Sequence, residues 1–220
     1  MTETVNYGNV VAEVRATIQN TLPDAANLNQ EDAAAIAMAY GAVFAEHFLP
    51  WMRHADQSAV STVAREATTD NIQCEERDDH PGMLRAFVAP IAAAATPEAK
   101  GRAEAVIRTV QPTIARLTEL SRIAPCGIHL MALLENTSAD FIAWMYPGIA
   151  NKFVGANRMY LDVHGIADQA HADAFVSAFE AERGHVDWRN EIEETTDLTI
   201  RLLTDIFTAH RHAPPVSKVA

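Results

Sequence analysis

Residues 160–175 read YLDVHGIADQAHADAF, and within this run His164, Asp168 and His171 stand at i, i+4 and i+7. A helix turns about 100° per residue, so the three side chains fall within about 60° of one another, stacked over two turns of one face. Two imidazoles and a carboxylate on one stripe offer nitrogen and oxygen donors with positions left open, a set that suits a transition metal. Taken alone, such a triple is more often a chance product of an acidic, alanine-rich helix than a metal site. Its meaning depends on whether the rest of the chain is helical and supplies further ligands.

The flanking sequence carries the same helical period. A first amphipathic segment runs from Asn9 to Leu22 and is closed by Pro23. Asn29 is an N-cap before a long apolar run to Met52, which Pro50 kinks or ends. Asp56 to about Glu76 is the next segment, with apolar positions at Val60, Val63, Ala64 and Ala67. Pro81-Gly82 breaks the chain, and Met83 to Ala95 resumes the helix. Thr96-Pro97-Glu98 is a helix start with proline in the first turn, opening a segment to about Ile123. Pro125 opens another, reaching Met145. Arg158 to Arg183 carries the opening triple, and Asp187 to His210 is last. No stretch alternates with period two, so no strand is expected. The pattern predicts an all-α, seven-helix bundle: one domain over residues 1–212, with a disordered tail over 213–220.

Composition narrows the function classes. The 220 residues are 49% hydrophobic, enough for one domain with a sizeable core. The formal net charge of −12 argues against nucleic acid and anionic lipid as partners. Charged and polar residues interrupt the apolar runs, so no membrane span is expected. The first residues lack a basic stretch followed by an apolar one, and a cytoplasmic location is expected. Cys74 and Cys126 are too few for a disulfide framework and fit reduced thiols.

Three further places supply carboxylate and imidazole. In NIQCEERDDHPGML, Glu76 and His80 are i, i+4 and share a face if the helix persists, whereas Glu75 reaches His80 only if it unwinds. Glu135 follows the apolar run Ile128 to Leu134, where an unpartnered carboxylate costs several kcal/mol to bury, as expected of a charge without a counter-ion. Glu46-His47 lies inside another apolar stretch. The plain alternatives are a solvated charged turn for 75–79, a half-exposed helix flank for Glu135 and a rim pair for Glu46-His47. His54, His129, His185, His210 and His212 show no ligand spacing and read as surface or structural. Trp51, Trp144 and Trp188 read as core.

The set of Glu75 or Glu76, His80, Glu135, and His164-x3-Asp168-x2-His171 resembles the heme-oxygenase-like diiron oxidases and oxygenases, a family of the heme oxygenase and thiaminase-like superfamily. His80 to Glu135 is 55 positions and Glu135 to His164 is 29, which match that family's ligand spacing. The resemblance spans about residues 35–185. The Glu-to-His gap before His80 is shorter than in many members. Members that oxygenate nitrogen carry an extra carboxylate one helix earlier, a place that Glu46 fills approximately.

The resemblance implies a seven-helix fold and two Fe ions, with a Mn/Fe pair as the alternative. It implies O2 as cosubstrate, activated through a peroxo-diferric species, and an external electron donor. The reaction would oxidise a small-molecule metabolite by N-oxygenation, or by C–H abstraction with desaturation or C–C cleavage, in specialised metabolism. Phe44, Phe48, Leu134, Phe141 and Ile166 would line the pocket. The net charge points weakly to a cationic or neutral substrate, and a homodimer is the expected assembly. Gly165, inside the ligand helix, predicts that residues 155–172 loosen without metal. Four alternatives differ in chemistry. They are a heme oxygenase using His47, a thiaminase-like hydrolase using a cysteine, a cofactor-free oxidase, and a helical protein without enzymatic activity.

Overall fold

Every residue from Pro125 to Glu135 is buried. A helix that is apolar all round belongs inside a bundle, with other helices packed about it. In the computed structural model this helix, α6 (Ala124–Gly148), lies against α7 (Met159–Glu182), α2 (Gln30–Ser58), α8 (Arg189–Phe207) and α1 (Tyr7–Thr21). The structure describes residues 7–184 and 189–212, without the side chains of 165–169 and of residue 189. Its remaining helices are α3 (Thr62–Arg77), α4 (His80–Ala94) and α5 (Pro97–Leu120), with short 3-10 turns at Ala150–Lys152 and Ala209–Arg211. Among the described residues there are thus eight α-helices and no strand, an all-α bundle with one helix for each of the eight segments read from the sequence, though the frame named there was seven-helix. The tail at 213–220 lies outside the described residues.

The helix ends follow local chemistry. Asn29, Ser61 and Thr96 each sit in extended backbone, and their side chains accept from the amides of Asp32, Ala64 and Ala99. These bonds satisfy amides that the first helical turn leaves without partners. The Ser61 cap moves a boundary. Asp56 lies in the last turns of α2, which continues through Pro50 to Ser58, and α3 begins only at Thr62. Val60 and Val63, expected on the apolar face, are exposed. The buried face of α3 is instead Ala64, Thr68, Asn71 and Glu75, a stripe at i, i+4, i+7 and i+11.

α2 corrects a second expectation. An 18-residue window in it reaches a mean hydropathy of 1.3, so by length and composition it is apolar enough to cross a membrane. Here its alanines at 33, 34, 35, 37 and 39 are buried in the bundle, where small side chains let neighbouring helices approach closely. At the far end of α2, Gly127 has the same role: a Cβ there would stand 2.4 Å from the Ser121 carbonyl oxygen and 3.0 Å from Ala55.

α7 is held near both ends. Tyr160 Oη is 2.7 Å from Tyr40 Oη on α2. Near the C-terminus, the buried Glu182 accepts from the amides of Val60 at 2.8 Å and Ser61 at 2.6 Å. The carboxylate thus closes the α2–α3 connection and neutralises the positive end of α3.

Candidate metal centre

The α3–α4 junction makes the first half of the site. α3 stops at Arg77, and Asp79 adopts φ 51, ψ 50, the left-handed region that Asp tolerates better than most residues. Its side chain then accepts from the Gly82 amide and caps α4. This turn folds His80 back onto α3, and His80 Nδ1 donates to Glu75 Oε1 at 2.7 Å. Both residues are buried, at 2% and 4% exposure. The helix therefore unwinds, and the choice between the two glutamates follows. Glu76 points outward to an ion pair with Arg53 at the surface, because one residue along a helix rotates a side chain by about 100°.

α7 brings the second half. His164 Nδ1 lies 2.8 Å from the Tyr160 carbonyl oxygen, which can only accept. The ring proton is therefore on Nδ1, and the Nε2 lone pair faces Glu75 Oε1 at 3.9 Å. Fixing the tautomer through the distal nitrogen is how proteins orient imidazole ligands. The His80 and His164 rings lie 4.5 Å apart, centroid to centroid. Burial pushes the His164 pKa down, opposed by Glu75, so the ring is neutral and able to bind a metal. His171, half-buried two turns on, is likewise pushed down by burial and feels Glu75 and His80. The side chains of Asp168 and Ile166 lie outside the described residues.

α6 contributes Glu135, 5% exposed. Asn71, on the same stripe of α3 as Glu75, donates through Nδ2 to Glu135 Oε1 at 2.7 Å. The Asn71 Oδ1 atom is buried with no hydrogen-bond partner among the described residues. Glu75, His80, Glu135 and His164 line a cavity of about 40 Å3 together with Tyr40, Phe44, Phe48, Leu134 and Phe141. That volume holds roughly three water-sized molecules. Among the described residues, no lysine or arginine lines the cavity.

The donor set fits a metal. Nitrogen and oxygen atoms of Glu75, His80 and His164 all lie within 4.8 Å of one another. Glu75 and Glu135 bring two buried carboxylates to one cavity, and buried negative charge is stabilised by positive charge facing it. Divalent cations supply that charge, and mixed imidazole and carboxylate ligation suits iron, manganese or zinc.

Two expected ligands are elsewhere. Glu46 is exposed and faces Arg85 across the α2–α4 surface at 3.4 Å, because it lies on the outer side of α2. Glu76 is at the surface with Arg53. His47 stacks on Trp51 with ring centroids 5.7 Å apart and does not line the cavity. Sequence reasoning missed three residues. Asn71 and Tyr160 each stand four positions before a ligand candidate on the same face, and Tyr40 bonds Tyr160.

A buried polar relay lies on the opposite side of α6. Thr196 Oγ1 donates to the Ile192 carbonyl and so accepts from His129 Nε2 at 2.7 Å. His129 Nδ1 is then the acceptor for Tyr7 Oη, also at 2.7 Å. Full burial pushes the His129 pKa down to about 3. These two bonds hold His129, read from its spacing as surface or structural, between α1 and α8.

No family model and no curated protein matches the sequence. The crystal structure of a TenA homolog from Pseudomonas syringae pv. tomato aligns with a TM-score of 0.59 at 13% identity, covering 92% of this chain and 88% of that one. At that identity the likeness speaks for the fold alone, an all-α bundle like that of the TenA homolog.

Proposed function

We propose that the chain is a non-heme, O2-dependent diiron oxidoreductase acting on a small metabolite. The observation that carries this reading is the meeting of Glu75, His80 and His164 from three helices, with Glu135 on the same cavity. These four, with Asp168 and His171 from the α7 stripe, make three imidazoles and three carboxylates. Such a set would hold two irons, whose chemistry when bound is the activation of O2.

The chain's own residues prepare the site. The Tyr160 carbonyl sets the His164 tautomer, and Asn71 holds one Glu135 oxygen in place. The aromatic wall lowers the polarity around the ligand candidates, which strengthens electrostatic interactions between them. Because no lysine or arginine lines the cavity among the described residues, while Glu75 and Glu135 do, the reacting end of the substrate is not an anion. This refines the hint from net charge, which describes the outer surface.

The fold likeness to a TenA homolog raises a thiaminase-like hydrolase as the second reading. It needs a reactive thiolate. Cys126 is fully buried with its pKa pushed up to about 11, and burial pushes the Cys74 thiol up as well. Both are protonated at neutral pH, the reverse of an activated nucleophile.

Anaerobic loading with Fe(II) separates the readings. About two irons per chain, lost on His164→Ala and Glu135→Ala but kept on His210→Ala, supports the proposal. Protein that takes up no iron when Fe(II) is supplied overturns it.

A further inference from the structure

A second cluster shares one residue with the buried one. The ligand atoms of Cys74, Asp78 and His80 also lie within 4.8 Å of one another. Cys74 and Asp78 are half-buried, so this cluster opens to solvent where the first does not. Arg77 lies across it. Its guanidinium donates to Asp78 at 2.9 Å through Nε and 2.8 Å through Nη2, and Nη2 is 3.7 Å from Cys74 Sγ. The Arg77 side chain is itself 71% exposed. A cation already sits against the thiol and the carboxylate, held by a flexible, solvated stem that can swing away. The cluster also stands at the last turn of α3, where the helix dipole favours positive charge.

We propose that Cys74, Asp78 and His80 form an outer site for a thiophilic divalent cation of the zinc class, with Arg77 as the built-in competitor for it. Sulfur, carboxylate and imidazole are the usual zinc donors, and thiolate selects such ions over magnesium and calcium. On binding, the Cys74 S–H bond breaks, the proton leaves to solvent, and sulfur bonds the metal as a thiolate; no electron is transferred. His80 belongs to both clusters. A cation in the outer site draws on the imidazole that bonds Glu75, so outer and buried sites oppose one another, each weakening the other by the same factor. The outer cation site rests on the Cys74 cluster alone. Only this antagonism rests on the diiron reading.

The test is titration of the purified full chain with Cd(II), followed by the ultraviolet charge-transfer absorption of a cadmium–thiolate bond. The band is expected to saturate near one equivalent and to persist in Cys126→Ser. It is expected to vanish in Cys74→Ser and to need roughly tenfold more cadmium in Asp78→Asn, in line with losses at other metal sites. Arg77→Ala removes an exposed side chain, leaves the fold intact and tightens cadmium binding several-fold. A band that follows Cys126, or no band at one equivalent, overturns the site. Unchanged cadmium affinity in Arg77→Ala overturns the role of Arg77. Preloading with one equivalent of Zn(II) lowers equilibrium Fe(II) occupancy more in the wild type than in Cys74→Ser; an equal drop in both overturns the antagonism. A chain that binds cadmium through Cys74 but takes up no iron keeps the outer site and loses the diiron reading. A chain that loads iron without the cadmium band does the reverse.

Discussion

His80 Nδ1 stands 2.7 Å from Glu75 Oε1 although five positions separate them, and the left-handed backbone of Asp79 makes that contact. Asp79→Ala removes the α4 cap and places alanine at positive φ, a loss of about 1–3 kcal/mol in urea unfolding. Asp79→Gly loses the cap but tolerates the backbone, so its loss is smaller and its iron binding is closer to wild type. Gly82→Ala strains the same turn, because a Cβ there would stand 2.0 Å from Asp79 Oδ2.

The adjacent glutamates separate cleanly. Glu75→Gln is expected to lower iron occupancy, measured by metal analysis after anaerobic loading. Glu76→Gln and Glu46→Gln alter only exposed pairs with Arg53 and Arg85. Each should retain full iron occupancy and shift stability by less than about 0.5 kcal/mol.

Asn71→Leu tests the support of Glu135. It removes the amide donor and leaves a buried carboxylate oxygen without that partner, costing the apo chain about 1–3 kcal/mol. The protein should unfold at lower urea without metal, and Fe(II) should recover part of the loss. Equal destabilisation with and without Fe(II) would place Asn71 outside the site.

Acid should weaken the fold through His129. Its folded pKa of about 3 lies below the ordinary histidine value of 6.5, so the folded state holds the ring neutral. The contribution is complete above the unfolded value. It is lost as pH falls from there toward the folded value, by at most about 1.4 kcal/mol per pH unit. His129→Gln, which cannot titrate, should show a flatter fall in urea midpoint between neutral pH and pH about 4.

Much of this arrangement was legible in the chain. Helical period and caps at Asn29 and Thr96 placed the long helices, because an amphipathic stripe and a side-chain oxygen at the first turn are local facts. Glu135 stood out as a charge after an apolar run, and the structure buries it. The Glu75 and Glu76 alternative stayed open because it turned on one backbone angle at Asp79, which depends on the Gly82 amide and on α4 packing. Val60 and Val63 misled for a related reason: the Ser61 cap, itself bonded by Glu182 from 121 positions away, sets where α3 starts and which face turns inward. Asn71 was invisible as a support, since its partner is on another helix.

The two fastenings of α7 have a consequence for how the chain tolerates change over evolutionary time. Tyr160 meets Tyr40 at one end and Glu182 meets the Val60 and Ser61 amides at the other. A residue gained or lost between them cannot be absorbed by sliding the helix, because either end would lose its fastening. It would have to loop out or wind in over His164 to His171, rotating every later side chain by about 100°. Length variation is therefore expected in residues 153–158, before the first fastening. The interval from Tyr160 to Glu182 should behave as a fixed ruler among the chain's relatives.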